Sequence, residues 1–307
     1  MDIFIFLISM TALVYGADFI IEQSEKIALH YNISAFVIGA TLVALGTSLP
    51  EMAVSISASL KGSGDIAVAN VIGSTIFNIA MVLGVVFIIA KNIKPTRDLF
   101  AKDSAWALFP ILVFILMGLD GKLTAIDGVL FLLLMVAYLT FLIGSNQVEE
   151  IDDELRKEKF AWGKTSALLL VGFVFTIAGA DFAIDSAGNI ARSFGVSEWI
   201  IGLFLVAFGT SLPELTISIK AALNNNADLA IGNIIGSNVA NFTMVLGLAS
   251  IVNTLNVDLS TYFFDIAAAF ILSLMLVFIT ANRLYNKSAG IVLLVVLALV
   301  IQNGLGV

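Results

Sequence analysis

Residues 16–84 return, without a gap, as residues 179–247. At this offset of 163, roughly half the aligned positions are identical. The identities include many on Gly, Thr, Ser, Pro, Glu, Asp and Asn, so chance likeness between apolar segments does not explain them. Each copy belongs to a half-chain with five apolar stretches, near 2–21, 33–60, 66–90, 104–119 and 126–144, then near 165–188, 197–223, 229–252, 262–281 and 288–303. A bilayer crossing needs about 20 mostly apolar residues, so the chain reads as ten crossings. An odd number per copy makes the second copy enter the membrane from the opposite face. The expectation is an all-α integral membrane fold of ten transmembrane helices in two inverted five-helix repeats, 1–144 and 165–307, joined by a linker of mixed charge at 145–164.

Composition narrows the function. Of 307 residues, 60% are hydrophobic and 12% charged, about half the charged fraction of soluble domains, which excludes a water-soluble globule. The absence of cysteine excludes disulfides and thiolate chemistry, and the single histidine, His30, leaves no material for a His-ligated zinc site or a Ser/His/Asp triad. A net charge of −8 with no basic stripe excludes nucleic acid as a partner. The first stretch carries Asp2 and Asp18 and lacks a basic leader, so it reads as a retained helix, not a signal peptide. With the N-terminus outside, 12 of the 15 Lys and Arg residues fall in inside loops. Both termini are therefore expected to be extracytoplasmic, the linker cytoplasmic, and the chain a multi-pass protein of the plasma membrane.

Chemistry gathers in the repeat. The second stretch contains Gly46-Thr47-Ser48-Leu49-Pro50-Glu51 and the seventh Gly209-Thr210-Ser211-Leu212-Pro213-Glu214. A carboxylate in mid-membrane costs several kcal/mol, and no Lys or Arg stands mid-span to pair with either glutamate. A bound cation or a proton is the remaining partner. Pro50 and Pro213 lack an N–H and should kink their helices, releasing the carbonyls of Gly46 and Gly209. Thr47 and Ser48 share a helix face with Glu51, as Thr210 and Ser211 do with Glu214. Carboxylate, hydroxyls and carbonyls are hard oxygen ligands suited to Ca²⁺ and Na⁺. The next spans add Ser74 with Asn78 and Ser237 with Asn241, each pair at i and i+4, behind Gly73 and Gly236, which permit close helix approach. Asp18 and Asp181 recur in the repeat and either line an ion path or bond backbone at a helix break. His30 reads as a solvated loop residue, and Trp106, Trp162 and Trp199 as interfacial anchors.

Two copies of Gly-Thr-Ser-Leu-Pro-Glu, each followed after about 20 residues by Gly-Ser-x-x-x-Asn, resemble the alpha repeats of the sodium/calcium exchangers, within the calcium:cation antiporter superfamily. The resemblance spans essentially the whole chain and the ten-helix layout of the archaeal exchangers. It implies that Ca²⁺ is held by Thr47, Glu51, Thr210 and Glu214. It implies one Na⁺ pocket from Thr47, Ser48, Glu51, Ser237 and the Ala44 carbonyl, and its mirror image from Thr210, Ser211, Glu214, Ser74 and the Ala207 carbonyl, with Asn78 and Asn241 flanking the centre. Potassium-dependent exchangers and some archaeal relatives carry Asp at position 241, whereas Asn241 is similar to potassium-independent sodium/calcium exchangers, so the resemblance implies exchange without K⁺. The implied activity is electrogenic Na⁺/Ca²⁺ antiport by alternating access, with Na⁺ and Ca²⁺ as substrates, no cofactor, and one chain in lipid as the working unit.

Three other readings stay open at this point. A Ca²⁺/H⁺ antiporter could use the same scaffold, although two hydroxyls per repeat suit Na⁺ better than a proton. A passive cation channel would gather its filter from several subunits, whereas an inverted repeat builds one site per chain. An intramembrane hydrolase would need a further polar cluster to form a substrate pocket, and the sequence shows none, so the chain is read as no enzyme.

Overall fold

Backbone polar groups in lipid must be satisfied within the chain, and an open apolar segment achieves this only as a helix. The computed structural model describes residues 1–90, 93–145, 160–194, 207–260 and 262–305. They form α1 (Asp2–Tyr31), α2 (Ala35–Thr47), α3 (Leu49–Leu60), α4 (Gly64–Ile89), α5 (Ser104–Asp120), α6 (Ala125–Gly144), α7 (Trp162–Ser193), α8 (Ala207–Thr210), α9 (Leu212–Leu223), α10 (Ala227–Val252), α11 (Phe263–Ala281) and α12 (Lys287–Leu305). Two short strands, β1 (Lys122–Leu123) and β2 (Leu255–Asn256), pair antiparallel.

Seven of these helices, α1, α4, α6, α7, α10, α11 and α12, are long and apolar enough to cross a membrane. The pair α2–α3, bent by 44° at Ser48, is long and apolar enough only when its two helices are taken together. The stretch expected at 104–119 is the shorter α5. Of the stretch expected at 197–223, residues 197–206 lie outside the described residues, as do Trp199 and linker residues 146–159. Large apolar side chains such as Phe4, Ile143 and Phe278 are exposed, as a lipid-facing surface requires.

α1 and α7 outrun their apolar stretches, at 30 and 32 residues. They lie antiparallel against each other. Trp162 Nε1 donates to Tyr31 Oη at one end, and Asn189 Nδ2 donates to Asp2 Oδ1 at 3.1 Å near the other. His30 is exposed but stacks on Phe160 at 4.0 Å. Trp106 packs against Tyr138 and Phe141 and is more than an anchor.

The halves interlock through glycine. A Cβ on Gly290 of α12 would stand 2.6 Å from the Gly84 carbonyl of α4, and one on Gly128 of α6 would stand 2.5 Å from the Gly247 carbonyl of α10. Gly84 and Gly247 are equivalent at the offset of 163, so the third span of each half is clasped by the last span of the other. This leaves α4 and α10 among the most buried helices, with α2–α3 and α9 packed against them.

Outside this core, Arg97 ties the loop after α4 into place. Its Nη2 donates to Asp103 Oδ1 at 2.9 Å and its Nη1 to the Ser145 carbonyl at 2.9 Å, while its guanidinium lies 4.8 Å from the Phe36 ring. Asp228 at the start of α10 accepts from the Thr96 hydroxyl at 2.7 Å.

Candidate cation site

Pro50 and Pro213 break their helices as the sequence implies. The breaks fall at Ser48 (φ −82°, ψ 5°) and Ser211 (φ −89°, ψ 3°), nearly identical geometries. Each break sets the carbonyl end of one helix against the N-terminal end of the next. Glu51 and Glu214 sit in the first turns of α3 and α9, where the helix end favours a carboxylate. Ala44 and Ala207 open the last helical turns before the two breaks.

The hairpins then set the register. α3 and α4 are joined by a turn at 61–63, and Glu51 and Ser74 stand within one residue of the same distance from it, face to face. Ser74 Oγ donates to Glu51 Oε1 at 3.4 Å, and Ser237 Oγ donates to Glu214 Oε1 at 3.4 Å across the second hairpin. One layer out, the same register pairs Asn70 with Ser55 at 2.9 Å and Asn233 with Ser218 at 3.1 Å. These four residues were not singled out from sequence, yet both pairs recur at the offset of 163.

Cross-contacts close the ring. Ser48 Oγ donates to Glu214 Oε1 at 3.4 Å, Thr47 Oγ1 lies 3.3 Å from Ser237 Oγ, and Ser237 Oγ reaches the Ala44 carbonyl at 3.5 Å. Thr47 Oγ1 also faces Asn233 Oδ1 at 3.4 Å. Thr47, Ser48, Ser237 and the Ala44 carbonyl therefore come together beside Glu214, whereas the resemblance sets them with Glu51. Ser74 goes with Glu51, not Glu214. The hairpin register ties Ser74 and Ser237 each to the glutamate of its own repeat, while Ser48 reaches across to the glutamate of the other. For the mirror group, Thr210 faces Glu51, and Ser211 Oγ is buried without a hydrogen-bond partner among the described residues.

Asn78 and Asn241 lie within π-helical stretches, Phe77–Leu83 and Asn241–Val245, a local widening common at functional sites. Asn78 Nδ2 donates to Asn238 Oδ1 at 3.0 Å, whereas neither amide atom of Asn241 has a partner among the described residues. Asn238 aligns with Thr75, so this tie breaks the repeat symmetry and was not visible in it. Gly236 meets the backbone of Ala40, which explains that glycine; Gly73 meets nothing within 4 Å, so close helix approach does not explain it.

The electrostatics follow from burial. Glu51 and Glu214 are both 0% exposed, close enough for their charges to interact, and neither joins an ion pair among the described residues. Glu51 Oε2, Glu214 Oε2 and Asn78 Oδ1 are buried without hydrogen-bond partners among the described residues. Buried polar atoms are normally satisfied, so this concentration of orphaned oxygens fits a cation. No group of three or more His, Cys, Asp or Glu forms among the described residues, leaving two carboxylates with neutral oxygens as the donor set. Asp18 and Asp181 belong to unbroken stretches of α1 and α7, which removes the helix-break reading; Asp18 pairs with Lys220.

The family model for the sodium/calcium exchanger protein matches residues 1–144 and 164–302. The chain belongs to the sodium/calcium exchanger family. The membrane protein MJ0091 of Methanocaldococcus jannaschii is 38% identical to this family member over 97% of the chain and 96% of its own length. The sodium/calcium exchanger MaX1 of Methanosarcina acetivorans is 30% identical over 94% of each. A vacuolar cation/proton exchanger of rice is 22% identical over 94% of the chain and 73% of its own length. Among solved structures, the sodium-calcium exchanger NCX_Mj soaked with 10 mM Na⁺ and zero Ca²⁺ superposes with a TM-score of 0.85 at 36% identity, covering 98% of this chain and 97% of that one. The family member is thus a multi-pass membrane antiporter of Ca²⁺ and another cation.

Proposed function

We propose that the chain exchanges Na⁺ for Ca²⁺ across the plasma membrane, electrogenically and without K⁺, as a single chain. The reading uses ten spans in two inverted repeats, 1–144 and 165–307, joined by a cytoplasmic linker at 145–164, with both termini extracytoplasmic. The observation that carries it is the buried pair Glu51 and Glu214, each with an unpartnered oxygen and ringed by hydroxyls. Two carboxylates neutralise one Ca²⁺ in a low-dielectric site that otherwise holds uncompensated charge. Ca²⁺ lies between them with Thr47 and Thr210. One Na⁺ pocket uses Ala44, Thr47, Ser48, Ser237 and Glu214, and the other Ala207, Thr210, Ser211, Ser74 and Glu51. Asn78 and Asn241 flank the centre. Na⁺ and Ca²⁺ compete for the same charges, and exchange follows when the empty, charged site cannot change its facing. Asn241 in place of an acid favours K⁺ independence.

The second reading, Ca²⁺/H⁺ antiport, is favoured by the likeness to the rice cation/proton exchanger. One experiment separates them. Proteoliposomes loaded with Na⁺ and diluted into Na⁺-free buffer should take up Ca²⁺, faster when the membrane potential is set to assist. Uptake driven by a pH gradient in the absence of Na⁺ establishes the proton-coupled reading instead.

A further inference from the structure

A cavity of about 710 Å³ opens between the segment that follows α4 and the turn joining α11 to α12. Because that turn joins two apolar helices long enough to span, the cavity lies at the membrane boundary. Its inner wall is apolar, from Phe87, Ile93 and Leu99, and its rim carries Lys94, Arg97, Arg283 and Lys287. Arg97 is neutralised by Asp103. Lys94, Arg283 and Lys287 are exposed and have no side-chain hydrogen bond or ion pair among the described residues. The opposing charges are Asp98 in the lining, whose Oδ1 accepts from the Ala101 N–H at 3.2 Å, and Asp228 behind it, which accepts from the Thr96 and Arg97 N–H groups.

Two details set this cluster apart from scattered surface cations. Arg283 holds a left-handed backbone, φ 51°, which among the other described non-glycine residues only Asn32 and Asn225 adopt. This left-handed residue ends α11, with the Leu284 N–H closing onto the Ile279 carbonyl at 2.9 Å, and so fixes where the Arg283 side chain leaves the helix. Lys287 also opens the 19-residue α12, whose first N–H groups have no acceptor within the helix; Asn286 Oδ1 takes only that of Ala289.

The other end of the molecule supplies a control. The segment after α10 and the turn joining α5 to α6 hold the same places in their half-chain, and between them lies a cavity of about 460 Å³. No Lys or Arg lines it, and Asp258 does. The backbone arrangement is thus present twice and the cations at one end only, the end at which the sequence already concentrates Lys and Arg.

We propose that the cavity bounded by Lys94, Arg283 and Lys287 binds a phosphate group. Two ammonium groups, a guanidinium and a helix N-terminus converge from two chain segments, a donor set that matches a multi-oxygen anion. At the membrane boundary the source is a lipid headgroup or free phosphate.

The test uses the purified full chain in nanodiscs of phosphatidylcholine with and without phosphatidic acid, and in detergent with inorganic phosphate. Native mass spectrometry and the thermal midpoint are the readouts. Phosphatidic acid should be retained over phosphatidylcholine, and the combined variant Lys94→Gln, Arg283→Gln, Lys287→Gln should lower its affinity on the order of a hundredfold. Arg283→Gly keeps the turn and removes one cation, so weaker retention at an unchanged unliganded midpoint separates lost charge from lost fold. Stabilisation by inorganic phosphate alone identifies free phosphate as the ligand; stabilisation by phosphatidic acid only identifies the headgroup. A combined variant that binds like the wild-type chain overturns the site, as does a wild-type chain indifferent to both probes.

Discussion

Asp18 on α1 and Lys220 on α9 form an ion pair of 2.9 Å between residues 202 positions apart in sequence. The residue equivalent to Lys220 in the first repeat is Ser57, so the repeat does not supply Asp181 with the same partner. The two side chains are 42% and 28% exposed, and such a pair contributes less than about 1 kcal/mol. Lys220→Gln should therefore lower the thermal midpoint slightly, and the loss should vanish at high salt. Lys220→Glu sets two like charges together and should cost more. Adding Asp18→Lys to that variant should restore the midpoint; failure to restore it would show that the pair does not hold α1 to α9.

Glu51→Gln and Glu214→Gln should each abolish Ca²⁺ transport while the protein stays folded. Each change removes half the charge that compensates a dehydrated divalent ion. Without ions, the wild-type protein holds two buried carboxylates near each other, so either variant should melt higher than wild type in Na⁺-free buffer with chelator. Ca²⁺ should reverse the order. At a hundredfold excess over its dissociation constant it stabilises the wild-type chain by about 2.7 kcal/mol, and the variants should gain little. Thermal melts with and without Ca²⁺, run beside flux assays, check both halves of this expectation.

The glutamates, hydroxyls and helix breaks were legible in the sequence because each has a local cause. A carboxylate in an apolar run needs a partner, and Pro50 and Pro213 bend a helix wherever they occur within it. The grouping of hydroxyls with glutamates was not legible from motif matching, which set Ser237 with Glu51. It follows from the distance of each residue to its hairpin turn, and the same register would have exposed Ser55 with Asn70 and Ser218 with Asn233. Asn238 and Lys220 stayed hidden because their partners lie in the other half-chain and their own equivalents, Thr75 and Ser57, differ. Contacts between the halves that lack a repeat counterpart leave no trace in a self-alignment.

Arg97 should be a point of stability and not of transport. Asp103 is 0% exposed, and removal of its only ion-pair partner among the described residues leaves a buried charge uncompensated. Arg97→Ala should cost about 3–5 kcal/mol, read as a lower thermal midpoint. Arg97→Met combined with Asp103→Leu removes both charges and should recover most of the loss, since a well-packed apolar pair can replace a buried ion pair. Whatever protein remains folded should keep its apparent affinity for Ca²⁺. An affinity change would place Arg97 in the transport pathway.

Asn241→Asp asks whether the central asparagine is a filler or part of the cation site. Both amide atoms are buried without partners among the described residues, so an isosteric carboxylate meets little steric resistance but adds a third negative charge to the two of Glu51 and Glu214. With Ca²⁺ bound, that extra charge must be carried by a proton or a further cation. Exchange by the variant should therefore depend on pH where the wild-type chain is flat. It should approach wild-type rates in acid, where the added group is neutral and resembles the amide, and diverge as the pH rises. Added K⁺ should change the variant's rate more than that of the wild type. Flux across a pH series, with and without K⁺, measures both effects, and a variant that follows the wild-type chain throughout assigns Asn241 to packing alone.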